Sequence, residues 1–206
     1  MVFRHQNQNK PMNPFPIVAY GAAVLKKKAA PVDLKDPELP ALIERMWVTM
    51  YASSGVGLAA PQIGRSLRLF VIDGSPFAED ESLSAEEAEE LKDFKAVFIN
   101  PTLIEESGAA WEFNEGCLSI PNIREDVLRK GDIHLRYFDA NFELQEGRFS
   151  GLPARIIQHE YDHIEGVLFT DHLSPLKKRL LKGRLQNIAK GNVEVDYPMR
   201  FPNQIK

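Results

Sequence analysis

The chain has 206 residues, 44% of them hydrophobic, enough for one sizeable core and too short for a second full domain. A formal net charge of -4 gives no global signature of nucleic-acid binding, so DNA is not an expected partner. The single cysteine, Cys117, excludes an intrachain disulfide, and no apolar run approaches a membrane span, so a cytoplasmic protein without membrane contact is expected.

The opening residues 1–16 are polar, lack the apolar segment of a targeting signal, and are expected to form a flexible tail over 1–15. Asp36 as N-cap and Pro37 at the first helical position, followed by Leu39, Leu42, Ile43, Met46, Trp47 and Met50, predict a helix that stops near Ser53, Ser54 and Gly55. A Gly-rich segment, Gly55-Val-Gly-Leu-Ala-Ala-Pro-Gln62, then leads into a strand-like run over 67–73. Residues 79–93 hold eight acids and one base, leaving 21 acidic against 24 basic residues elsewhere. Within that stretch Ser84 and Glu87 are placed as a capping box, which predicts a short solvated helix.

Strand-like runs follow at 96–105, 109–113, 133–139 and 142–149, the last two joined by a short turn at Ala140 and Asn141, so antiparallel pairing is expected. Two helices close the pattern, over 152–165 with Gly166 as terminator, and over 175–190 with Ser174 as cap and Gly191 as terminator. In the latter, Leu176, Leu180, Leu181, Leu185 and Ile188 are expected on one side and the basic residues elsewhere. The order predicts an α+β fold: antiparallel or mixed sheets packed around a central helix, with a C-terminal helix, in one catalytic domain over 16–191 and an extension over 192–206.

The strongest chemical signal is His159-Glu-Tyr-Asp-His163 inside the penultimate helix. Imidazoles four residues apart share a helical face and reach one metal ion, while the glutamate between them addresses a water on that ion. With five His and 18 Glu in 206 residues, chance supplies ~0.01 such patterns. The plain alternative is a helix with two core or surface histidines. A catalytic zinc-like site needs a third protein ligand and an open position. Cys117 in Glu115-Gly-Cys-Leu-Ser119 is a candidate, since Gly116 permits a backbone angle that aims the thiol inward.

Three separated segments, Gly55 to Gln62, Glu115 to Ser119 and Gln158 to His163, together resemble the peptide deformylase family, and agreement in the flanks extends over most of 16–182. The resemblance implies a bacterial enzyme of protein biosynthesis that removes the formyl group from formyl-methionyl nascent peptides, releasing formate. It makes Cys117, His159 and His163 the ligands of one divalent metal ion, Fe²⁺ in the cell with Zn²⁺ or Ni²⁺ as alternatives. A water whose pKa the metal lowers to about 7 would attack the formyl carbonyl. Glu160 would act as general acid and base, and the Gln62 amide and Leu118 N–H would receive the oxyanion. Gly57 would pair with substrate backbone, and Val56, Leu118 and Ile156 would hold the methionine side chain, although each of the three suits plain core equally.

Several readings compete. A dinucleotide fingerprint at Gly55 would need a preceding strand and a following helix, the reverse of the predicted order. A HExxH-type metallopeptidase would take a third His or carboxylate ligand, a thiol enzyme would use Cys117 as nucleophile, and a structural metal site would have four closed ligands. Asp162 and Glu115 are candidates to orient the ligands, Arg124 and Arg155 to border the site, while His5, His134 and His172 have no partner at ligand spacing. The basic last helix is a solvated face or a docking surface for the ribosome.

Overall fold

The structure is a computed structural model and describes residues 12–81 and 83–204. Residues 1–11 of the expected tail lie outside the described residues. Phe15 is held by its backbone N–H on Thr49 Oγ1 at 2.9 Å and by the Arg45 guanidinium over its ring.

Helix α1 spans Leu39–Ala52, two residues later than Asp36 as N-cap and Pro37 as first helical residue predict. Asp36 instead caps a turn ahead of the helix, its Oδ1 accepting from Glu38 N at 2.9 Å and its carbonyl from Leu39 N at 3.1 Å. Five strands, β2 (Gly57–Ala59), β3 (Leu69–Asp73), β4 (Lys95–Cys117), β5 (Ile120–Phe138) and β6 (Leu144–Ser150), form an antiparallel sheet in that order. A separate parallel pair joins β1 (Ile17–Val18) to β7 (Met199–Arg200). Helix α2 (Ala85–Lys92) has the expected capping box, with Ser84 Oγ accepting from Glu87 N and Glu87 Oε2 accepting from Ser84 N. Helices α3 (Gly151–Glu165) and α4 (Pro175–Lys190) end at glycines in the left-handed conformation, Gly166 and Gly191.

The strand runs expected at 96–105 and 109–113 are one continuous strand, and β5 begins at Ile120 rather than near Ile133. The two form a long hairpin closed by Leu118 and Ser119, with register shifts between Ile99 and Thr102 and between Ser107 and Ala110. Its early half was hidden because a charged residue, Arg129, occupies an inward position beside Val127, breaking the apolar alternation that marks a strand.

Alternation along β3 explains the layering. Leu69 and Val71 face a cluster with Ile43, Met46 and Met50 of α1, whereas Phe70 and Ile72 face Ala154, Ile156, Ile157 and Ile164 of α3. The helix carrying the two histidines is thus pressed on the sheet. A third cluster packs Leu181, Leu185 and Ile188 of α4 against Ile120, Ile123 and Val127 of β5. Leu176 and Leu180, expected on that same stripe, are instead 56% and 70% exposed. Leu180 is one residue, or 100° of helical rotation, from Leu181, so it belongs to a second face. Among the described residues no helix is long and apolar enough to cross a membrane.

Asn100 marks the first register shift. At φ 50° its side chain imitates a strand partner: Oδ1 accepts from Val32 N at 2.7 Å and Nδ2 donates to Val32 O at 2.9 Å. Asn100→Ala should cost about 2 kcal/mol or more, because two partly buried backbone groups lose their partners at a position where alanine is strained. Denaturant unfolding measures this, and a loss under about 0.5 kcal/mol would show that water replaces both bonds.

Candidate metal centre

One turn of α3 separates His159 from His163, placing their ring centroids 5.1 Å apart, while the end of β4 delivers Cys117 from across the fold. One ligand atom from each of the three lies within 4.8 Å of the others, and Cys117 Sγ is 3.3 Å from His163 Nε2. Among the described residues this is the group of metal-ligating side chains brought together in this way.

Glu115 orients the first histidine. His159 Nδ1 donates to Glu115 Oε2 at 2.8 Å, which fixes the ring with Nε2 on the side of Cys117. Glu115 is itself gripped by Arg129 through both carboxylate oxygens, at 2.7 and 3.0 Å, and by Arg155 at 3.1 Å. Arg155 stacks on Trp111 and donates to the Trp111 and Val127 carbonyls. Arg129 reaches on to Asp162, whose Oδ2 also faces His172 Nε2 at 2.7 Å. Glu115 therefore touches a candidate ligand directly. Asp162 acts one step further away, through Arg129.

Charge follows from this geometry. Burial raises the Cys117 thiol, but the neighbouring imidazoles, His163 first, outweigh it and hold the pKa at about 5, so the sulfur is a thiolate at neutral pH. Glu115 is held well below the usual carboxylate range by His159 and Arg129 despite its burial. Glu160, 3% exposed, is the opposite case: burial pushes it up to about 7 against the pull of both imidazoles. Its Oε2 is buried without a hydrogen-bond partner. A thiolate and two imidazoles, which give up a proton to a metal on binding it, are a donor set that fits one divalent d-block ion, with the cavity side left open.

That cavity measures about 790 Å³ and is lined by Val56, Gly57, Gln62, Cys117, Leu118, Ile156, His159 and Glu160, with His163 buried behind them. The structure thus brings the sequence-predicted site residues to one place. Gln62 sits in a single turn after β2, its Oε1 accepting from Ala59 N at 2.8 Å and its Nε2 directed to Cys117 Sγ at 3.4 Å. A Cβ at position 57 would collide with the Glu160 carboxylate, so glycine is required there for space. Arg124 and Arg155 do border the cavity, the former tied to Asn114. Two contributors were missed: Arg129, disguised as a solvated strand residue, and Tyr197, an aromatic in a polar tail, whose hydroxyl donates to Leu118 O at 2.8 Å.

The raised Glu160 gives a signed pH effect. In metal-free protein the folded chain keeps a proton that the unfolded chain has released, so this group's stabilisation fades as pH rises from 4.5 to about 7. Glu160→Gln has no such slope and should gain stability relative to the parent across that window. Denaturation of both proteins at several pH values tests this, and a difference that stays constant would refute the buried titration.

The comparisons with known proteins agree with this geometry. A family model described as polypeptide deformylase matches residues 14–179. The chain is similar to the peptide deformylase of Christiangramia forsetii, 59% identical over 93% of this chain and 97% of that one. That of Flavobacterium johnsoniae is 52% identical over 90% and 95%. Among solved structures, a peptide deformylase from Legionella pneumophila superposes with a TM-score of 0.72 at 37% identity, covering 87% of this chain and 98% of that one. One from Synechococcus elongatus, in complex with actinonin, gives 0.69 at 36% identity over 87% and 88%. A Cys-His-His cluster beside a buried glutamate, on a chain this similar to those enzymes throughout, places it in the peptide deformylase family, the metalloenzymes that remove the N-terminal formyl group from nascent polypeptides.

Proposed function

We propose that Cys117, His159 and His163 hold one divalent ion, Fe²⁺ in the cytoplasm with Zn²⁺ or Ni²⁺ as substitutes, and that Glu160 is the general acid and base of deformylation. The observation that carries this reading is the buried, unpartnered Glu160 carboxylate beside a thiolate and two imidazoles, facing a cavity. When bound, the ion supplies a Lewis acid and lowers the pKa of a water to near neutrality. Glu160 takes the attacking water's proton and returns it to the leaving amine, a task for which an unpartnered carboxylate oxygen beside the two imidazoles is placed. The Leu118 N–H and Gln62 Nε2 are the donors for the developing oxyanion, and Gln62 is already fixed through its other amide atom.

Edge strand β2 pairs on one side with β3 and, among the described residues, with no strand on its other side, so Gly57 can hydrogen-bond an extended formyl-peptide. Val56, Leu118 and Ile156 give that peptide an apolar pocket for methionine. We read 16–191 as the catalytic domain. The exposed Leu176 and Leu180 on basic helix α4 support docking on the ribosome where substrate emerges, although Lys177 is already paired with Glu125. Charge reversal on α4 should abolish salt-sensitive ribosome binding while leaving peptide deformylation intact, and unchanged binding would remove this docking from the reading.

The central test uses formyl-Met-Ala-Ser. Glu160→Gln should keep its metal and lose at least ~100-fold in turnover. His159→Ala and His163→Ala should lose metal and activity together, and either variant retaining one tightly bound ion would overturn the ligand set. Iodoacetamide should label Cys117 slowly until a chelator is added, and then quickly even at pH 6, because the released sulfur has a pKa of about 5. Rapid labelling of the metal-loaded protein would favour thiol catalysis instead.

A further inference from the structure

The turn closing the β4–β5 hairpin consists of Leu118 and Ser119; it follows directly on Cys117, the last residue of β4, and carries the Leu118 N–H. Its two successive carbonyls are each held from outside the hairpin. Ser119 O accepts from Tyr20 N at 2.8 Å, and Leu118 O accepts from the Tyr197 hydroxyl at 2.8 Å. Tyr20 lies just after β1 and Tyr197 just before β7, so the two donors are mounted on the same two-stranded unit. Ile17 N donates to Pro198 O at 2.8 Å and Ala19 N to Arg200 O at 3.0 Å, locking that unit. Asn122 Nδ2 donates to Glu194 O at 3.3 Å, fastening the incoming segment to β5.

We propose that Tyr197 is a positioning residue for deformylation: with Tyr20 it clamps the Leu118–Ser119 turn, and the segment from Glu194 to Arg200 is the strap that holds the clamp shut. The inference rests on the reading of Leu118 N–H as an oxyanion donor. A two-residue turn has few dihedrals, so fixing the carbonyls of both residues restrains the peptide before them, whose N–H must meet a charge that exists only in the transition state. Tyr197 remains a donor across the working range, since burial pushes its phenol up to about 12. The region matched by the family model ends at residue 179, so this half of the clamp comes from beyond that region.

Tyr197→Phe deletes the donor and keeps the ring that lines the cavity. Measured per bound metal on formyl-Met-Ala-Ser, kcat should fall about tenfold with KM within about twofold, as expected when an interaction serves the transition state alone. Amide exchange at Leu118 and Ser119 should quicken in the same variant while metal content and the exchange of β3 stay unchanged. A purely structural tyrosine would lower the thermal midpoint yet leave kcat of the folded, metal-loaded protein at the parental value, and that result overturns the proposal. So does a loss confined to KM, or unchanged exchange at both turn amides. If Tyr197→Phe does not fold, Tyr197→Trp, which keeps an aromatic and an N–H, is measured in its place under the same criteria of kcat and amide exchange. A parent protein inactive on the formylated peptide would refute the deformylation reading instead, and the clamp is then decided on amide exchange alone.

Discussion

The Glu115 carboxylate is the interaction on which the centre depends. It is buried, so its charge would be costly alone, and the fold compensates with Arg129, Arg155 and the His159 N–H at its two oxygens. These contacts come from β5 and α3, so one acid at the end of β4 fixes the relative placement of the three elements that supply or support the ligands. Together with Asp162, two acids balance two guanidinium groups, those of Arg129 and Arg155. Removing any one partner leaves a buried charge uncompensated, a penalty of roughly 3–5 kcal/mol for groups of this kind.

Glu160 occupies the same helix with the reverse arrangement. Nothing donates to its Oε2, and its other oxygen rests against the backbone of Gly57. The carboxylate proposed to exchange protons is held by packing, and the one that orients His159 is held by ion pairs. A missing Cβ at position 57 thus joins two features of the proposed reading, room for the Glu160 carboxylate and a sheet edge offered to a peptide.

Much of this could be read from the residues alone. His159-Glu-Tyr-Asp-His163 announces its chemistry because helical spacing is local, and the caps at Ser84, Ser174, Gly166 and Gly191 act within a single turn. Arg129 and Tyr197 stayed hidden because their partners lie 14 and 79 residues away in sequence, and isolated polar or aromatic residues on strands and tails normally face water. The start of α1 was misplaced because Asp36 caps in either of two ways, helix or turn, and local sequence does not choose between them. Leu176 and Leu180 were placed on one side with Leu181, Leu185 and Ile188 because a leucine-rich helix counts as one stripe until a neighbour fixes its rotation.

The β1–β7 pairing bears on how the molecule comes into being. Its two strands are separated by about 180 residues, so their closure is among the most non-local events in the fold and carries the entropic cost of a long loop. During synthesis the histidine helix and the hairpin are complete before β7 has left the ribosome. The nascent chain therefore passes through a stage that has its candidate ligands but lacks β7, so completion of the centre waits on one of the latest contacts to form.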